Sequence, residues 1–130
     1  MHKNQIKGKS AEILFEMLCT QNGWHCCKPI VEFLPYDYVV DLGEGFKKIQ
    51  VKTVYWDKNR KDYRCDLRKG KSGSKNKTKY ISGDFDIVAI NFNSIDWVLV
   101  PWNKIKDYTE INMSNKNITE SIKRSILFEV

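Results

Sequence analysis

Residues 36–53 read Y-D-Y-V-V-D-L-G-E-G-F-K-K-I-Q-V-K-T, and this stretch decides the fold. Gly43-Glu44-Gly45 is a turn signal between two β-rich runs, 36–42 and 46–56. With Glu44-Gly45 as a two-residue hairpin turn, Leu42 faces Lys47, Asp41 faces Lys48, Val39 faces Gln50 and Asp37 faces Lys52. Directly opposed residues share a face of an antiparallel pair. One face therefore collects Asp37, Asp41, Lys48, Gln50 and Lys52. The other collects Tyr38, Val40, Ile49 and Val51, a set fit for burial. A one-residue slip would mix the two sets, so the apolar pattern selects the pairing.

The polar face divides by chemistry. Asp41 and Lys48 read as an exposed cross-strand ion pair of little energetic worth. Asp37, Gln50 and Lys52 read differently. Phosphodiester hydrolysis needs a cation to neutralise phosphate, an activated water and stabilisation of developing negative charge. Mg²⁺ takes a few oxygen ligands and keeps several waters. Asp37 offers a carboxylate, Gln50 a side-chain carbonyl and Val51 a backbone carbonyl. Lys52 lies on the face of Gln50, where it can position the water or stabilise pentavalent phosphorus.

Outward from the hairpin, Ala11, Leu14, Phe15 and Leu18 form an apolar stripe that predicts a helix over 8–22. Ser10 is the expected N-cap and Gly23 the C′ residue. Glu12 and Glu16 flank that stripe, and Glu16 reads as a surface residue. A short strand is expected at Trp24–Cys27, with breaks at Pro29 and Pro35 around the apolar stretch Ile30–Leu34. Residues 85–92 and 96–101 read as strands buried on both faces. Asp84 and Asp86 open the first of these, with Asp86 in a structural role. The tail 119–127 predicts a short helix with Ile118, Ile122 and Ile126 on one side. The expected fold class is α/β (α+β), one domain over 1–130 with a central mixed β-sheet flanked by helices.

Composition bounds the function. A chain of 130 residues with 42% hydrophobic content can bury one core and is not a disordered polymer. No apolar run nears the ~18–20 residues that span a bilayer, and no apolar stretch follows the basic N-terminus. A cytoplasmic protein without a membrane partner is expected. Cys19, Cys26, Cys27 and Cys65 lack metal-ligand spacing and read as reduced thiols, several of them buried. Trp24, Trp56, Trp97 and Trp102 read as core or subunit contacts.

Charge is concentrated. Lys58, Arg60, Lys61, Arg64, Arg68, Lys69, Lys71, Lys75, Lys77 and Lys79 stand against Asp57, Asp62 and Asp66, so segment 57–79 carries +7 of a net +6. A localised basic stripe is the footprint of a nucleic-acid binder, although a solvated basic loop has the same composition. Tyr63, Cys65 and Leu67 alternate as in a half-exposed strand, and 69–79 reads as a flexible loop. Arg60, Arg64 and Arg68, four residues apart, are expected to project to one side and read guanine edges. The lysines are expected to contact phosphates.

These residues resemble the PD-(D/E)XK nuclease superfamily. Pro35-Tyr36-Asp37 is similar to its first half-motif with one residue inserted, and Gln50-Val51-Lys52 to its second with Gln for the acid. Gly8-Lys9-Ser10-Ala11-Glu12 resembles the helix that supplies an additional Glu. The Q-x-K variant and Tyr80–Ile90, Y-I-S-G-D-F-D-I-V-A-I, look like a branch of small homing endonucleases encoded within group I introns. The likeness covers roughly residues 8–105.

The resemblance implies a restriction-endonuclease-like core acting on double-stranded DNA as a homodimer or homotetramer. It implies that Asp37 binds Mg²⁺, with Mn²⁺ as a substitute, and that Gln50 replaces the second metal-binding acid. Lys52 would serve water activation or charge stabilisation, and Glu12 would hold a metal-bound water or a second ion. Gln50 removes one negative charge, so Mg²⁺ should depend more on the DNA phosphate. The first reading is a sequence-selective, Mg²⁺-dependent endonuclease. The alternatives are a structure-selective Holliday-junction resolvase and a catalytically inactive DNA-binding module.

Overall fold

The computed structural model describes residues 3–70, 76–92 and 96–114. In chain order the elements are α1 (Lys3–Asn22), β1 (His25–Cys27), β2 (Tyr38–Asp41), β3 (Phe46–Thr53), β4 (Tyr55–Asp57) and β5 (Asp62–Asp66). Then come β6 (Arg68–Lys69), β7 (Thr78–Lys79), β8 (Ile87–Phe92), β9 (Asp96–Pro101), α2 (Trp102–Ile105) and β10 (Glu110–Asn112). None of the described helices is long and apolar enough to cross a membrane.

Helix α1 buries Ala11, Phe15 and Cys19, spaced four apart along one face. It starts earlier than the cap signal predicts, so Ser10 sits within the helix and caps nothing. Tertiary anchoring extends the first turns, for the Lys7 ammonium donates to the Val54 carbonyl at 2.5 Å. The far end follows expectation. Gly23 has φ +70°, its amide donates to Thr20 O at 3.2 Å, and the Trp24 amide donates to Cys19 O at 2.9 Å. This is the Schellman pattern, which needs a left-handed C′ residue and so favours glycine.

The main sheet runs β1-β2-β3-β8-β9. Its β3–β8 pair is parallel and the others antiparallel, giving the mixed sheet that was expected. Both faces are covered. Phe15, Tyr38, Val40, Ile49, Val51 and Ala89 pack in the core beneath α1. Val88, Ile90, Val98 and Val100 point to the opposite face, where Cys65, Leu67, Phe85 and Ile105 cover them. The second cover comes from the small sheet β10-β5-β4 and from α2. All four cysteines are free, with Cys19 and Cys65 buried. Trp24, Trp97 and Trp102 are partly buried against the cores, whereas Trp56 is exposed and lies outside both.

The β2–β3 hairpin keeps its two faces but not its predicted register. Tyr38 pairs with Ile49 and Asp41 with Phe46, two residues away from the sequence expectation. The Asp41 carboxylate accepts the Gly43 amide at 2.9 Å, and Gly43 and Gly45 have φ of +99° and +109°. This local side-chain bond starts the turn at Leu42 and makes it four residues long. The slip is even, so each side chain stays on its expected face. The expected Asp41–Lys48 ion pair does not form, because Lys48 instead donates to the Gly83 carbonyl at 2.5 Å.

Other departures have local causes. The 46–56 run breaks at Val54, dividing β3 from β4. The ends of the expected 69–79 loop form a ribbon, in which Arg68 pairs with Lys79 and Lys69 with Thr78. Residues 71–75 and the expected helix at 119–127 lie outside the described residues.

Asp86 ties the centre together. Its Oδ2 accepts the Lys48 amide at 2.8 Å, its own amide donates to Lys48 O at 2.9 Å, and its carbonyl accepts the Trp102 amide at 2.9 Å. Asp86→Ala leaves the partly buried Lys48 amide without its acceptor and should destabilise the protein by about 1–3 kcal/mol. Asp86→Asn, which keeps an acceptor oxygen, should cost much less. Urea denaturation of both variants checks this.

Candidate active site

Asp37 stands just before β2, and its amide donates to Ile49 O at 2.8 Å. Continued by one residue, the hairpin register sets Asp37 opposite Gln50 rather than opposite Lys52. Asp37 Oδ2 accepts the Val51 amide at 2.8 Å, which fixes the carboxylate against β3 and leaves Oδ1 for another partner. Burial pushes its pKa up to about 6 against the Val51 hydrogen bond, and the charge of Glu12 pushes the same way. Lys52 offsets this only in part. A desolvated carboxylate beside a second carboxylate is a place that a cation stabilises.

Glu12 is brought there by α1. The Tyr38 hydroxyl, rising from β2, donates to the Glu12 carbonyl at 3.1 Å and to Glu16 Oε2 at 2.6 Å. Glu16 is exposed, as expected, but it also anchors the helix over the sheet. The period-3.6 pattern gave no sign of this contact, because its partner lies 22 residues away.

Gln50 and Lys52 project from β3 away from α1. The Gln50 Nε2 donates to the Val51 carbonyl at 3.3 Å, which sets the two expected ligand groups side by side. Amide O and N interchange by a half-turn, which would present Oε1 at the same place. Lys52 donates to the backbone carbonyl of Arg68 at 2.9 Å, and its ammonium lies 5.2 Å from the centre of the Tyr80 ring. Burial lowers its pKa from the ordinary lysine value, while Cys65, Asp66 and Asp37 act in the opposite direction.

The donor types present here are those that a hard divalent cation takes. No group of three or more His, Cys, Asp or Glu side chains converges among the described residues. Asp37, Glu12, the Gln50 amide and the Val51 carbonyl supply hard oxygens, and Mg²⁺ accepts few such ligands because water and phosphate complete its shell. A groove of about 570 Å³ lies alongside, between Lys7 and Gly8 of α1 and Lys52, Asp66, Arg68 and Lys77 opposite.

The basic segment is placed differently from expectation. Arg60, Arg64 and Arg68 do not share one strand. They lie in the β4–β5 turn, on β5 and on β6. The ladder breaks at Leu67, whose amide turns to Thr109 O at 2.8 Å. Carboxylates hold all three guanidiniums. Arg60 meets Glu110, Arg64 meets Asp62 at 2.8 Å and Glu110 at 3.0 Å, and Arg68 meets Asp66 at 3.0 Å. Lys69 pairs with Asp84 at 3.1 Å and Lys77 with Asp66 at 2.7 Å. Lys61 and Lys79 are exposed and make no ion pair among the described residues. Lys71 and Lys75 lie outside the described residues.

With this geometry in place, comparison with known proteins is decisive. Residues 2–127 match the PD-(D/E)XK endonuclease family. The chain belongs to that family. Protein 5.3 of Escherichia phage T7 is 26% identical over 117 residues, covering 90% of this chain and 96% of that protein. The structure of a bacterial homing endonuclease, I-Ssp6803I, superposes with TM-score 0.73 and 25% identity, over 85% of this chain and 78% of that one. The restriction-endonuclease-like fold and the likeness to homing endonucleases follow expectation.

In this PD-(D/E)XK nuclease, Asp66 is a groove residue that no motif marked. Burial alone would raise its pKa, but hydrogen bonds from Arg68 and Lys77 prevail and hold it at about 2. The folded-state pKa lies below the unfolded value, so the Asp66 contribution is complete above about pH 4 and is lost as pH falls toward 2. Melting temperatures from pH 6 to 2 should fall less steeply for Asp66→Asn than for wild type, with the gap closing at the acid end.

Proposed function

We propose that this chain is a Mg²⁺-dependent endonuclease that cuts double-stranded DNA at selected sequences. The observation that carries the reading is the Asp37 carboxylate, fixed by the Val51 amide and within reach of the charges of Glu12 and Lys52, on the strand whose Val51 and Lys52 line the groove. The likeness to a homing endonuclease supports it.

Asp37 would hold the ion through the carboxylate that Val51 fixes, and Gln50 and the Val51 carbonyl would complete the protein's share. An ion held there would supply neutralisation of phosphate charge and a lowered pKa for its water. Lys52 reaches the groove from the adjacent turn of the pleat and stabilises charge on the phosphorane. Glu12 accepts a hydrogen bond from the attacking water. One such site cuts one strand, so a double-strand break calls for two copies, as a homodimer or within a homotetramer. Lys61, Lys79 and the basic ribbon contact phosphates.

Two experiments test this. On plasmid and genomic DNA, Mg²⁺ should give discrete fragments and EDTA none. Lys52→Met and Asp37→Asn should each cut at least about a hundredfold more slowly while binding DNA nearly as well. Fragments from Lys52→Met at the wild-type rate would refute the assignment. Separately, about six phosphate contacts predict that log K falls with log salt at a slope near −5. Lys61→Ala and Lys79→Ala should each reduce that slope by about 1 without changing which site is cut.

A further inference from the structure

The groove beside Lys52 is lined by four cations, Lys7, Lys52, Arg68 and Lys77, and Asp66 is the one carboxylate among the described residues lining it. A carboxylate in that place repels the polyanion that the groove is read as receiving. Its partners show what the charge does there. Asp66 Oδ1 accepts from Arg68 Nε at 3.0 Å, and Oδ2 accepts from Arg68 Nη2 at 3.1 Å and from Lys77 Nζ at 2.7 Å. Two bonds from a guanidinium fork and one from an ammonium are also what a pair of phosphate oxygens takes. Both strands of the ribbon contribute, Arg68 from β6 and Lys77 from just before β7. Gly70, with φ +138°, permits the close approach, for a Cβ there would stand 3.2 Å from Lys77 Cγ and 3.3 Å from its Cα.

Asp66 has a local duty as well. Its Oδ1 accepts the Arg68 amide at 3.0 Å, an Asx turn that shapes the passage from β5 to β6. Asparagine would serve that turn equally, because its side-chain oxygen can accept the same amide. What aspartate adds is the negative charge, and that charge goes to Arg68 and Lys77. The pairs are open to exchange. The side chains of Asp66, Lys77 and Arg68 are 21%, 20% and 45% exposed, and ion pairs so exposed are weak.

We propose that Asp66 is a specificity-determining residue that occupies, in the free protein, the place of a DNA phosphate between Arg68 and Lys77, so that a duplex seats in the groove only by displacing it. The inference rests on the nuclease reading, which puts DNA in that groove. Displacement costs every duplex the same. Its effect is selective because seating saturates. A duplex whose base contacts make seating nearly complete loses little. One with poorer contacts stays on the outer lysines, Lys61 and Lys79, away from Asp37 and Lys52. Asp66 thus withholds two cations from DNA that charge alone would otherwise draw in.

The full chain in EDTA, so that nothing is cut, is titrated with a random-sequence duplex over a series of salt concentrations. Asp66→Asn keeps the turn acceptor, and thermal melting checks that it folds. It should bind at least about fivefold more tightly, with log K falling against log salt more steeply by about 1. Lys77→Ala should weaken binding more in the Asp66→Asn background than in wild type, where losing the phosphate contact is offset by sparing the displacement. Asp62→Asn controls for net charge. Asp62 holds the Arg64 fork at 2.8 and 3.0 Å but does not line the groove, so its loss should change affinity less than about twofold. Binding by Asp66→Asn no tighter than wild type overturns the proposal and leaves Asp66 to its turn. Equal tightening by Asp62→Asn overturns it in favour of net charge. Cleavage in Mg²⁺ is scored separately, and Asp66→Asn should add fragments from secondary sites. Tighter binding with the wild-type fragments alone overturns the specificity role. Tighter binding without cleavage by either protein would remove the nuclease reading and uphold the displacement, and no affinity for DNA in any variant would remove both.

Discussion

Strand β3 has a packed core on each side and yet must present Gln50 and Lys52 to solvent. The rest of the molecule accommodates that constraint. Ile49 and Val51 are buried beneath α1, while Gln50 and Lys52 emerge on the face covered by the small sheet. The cover is incomplete where they emerge, and the groove occupies the gap. Asp37 is held against this strand by the Val51 amide, and Asp86 holds the strand to β8 through Lys48. The same backbone that carries the candidate site residues therefore also carries the sheet. The proposed site would take its precision from a strand interior rather than from a loop, which lowers the cost of preorganisation.

The basic segment illustrates how charge at the sequence level differs from charge in space. Counted along the chain, 57–79 is strongly positive. Folded, Asp57, Asp62, Asp66 and Glu110 sit among its arginines. These pairs are partly exposed, and each contributes little to stability. Their effect is to fix guanidiniums in place, so the field toward a polyanion comes more from Lys61, Lys79 and the rim of the ribbon. Glu110 enters from the far end of the chain, and no local count could include it.

How much was legible follows from the range of each signal. Strict alternation identified the faces of β2 and β3, because side-chain period is a local property. The helix end at Gly23 was legible because a left-handed residue at C′ is also local. Asp37, Gln50 and Lys52 fell on one face for the same reason. The turn at Leu42–Gly45 was misplaced because the Asp41 side chain competed for a backbone amide, a bond that alternation does not encode. The start of α1 was misplaced because a contact with Val54 supports its first turns. Asp66, Tyr80 and the Tyr38–Glu16 bond stayed hidden, since each gains its meaning from residues distant in sequence.

The two-residue offset between the expected and the observed hairpin register shows which slips the faces tolerate. Moving one strand past the other by a single residue would exchange groove and core, destroying chemistry and packing together. Moving it by two returns every side chain to its own side and only changes which neighbours meet, here Asp37 with Gln50. Drift in this hairpin is therefore filtered by parity.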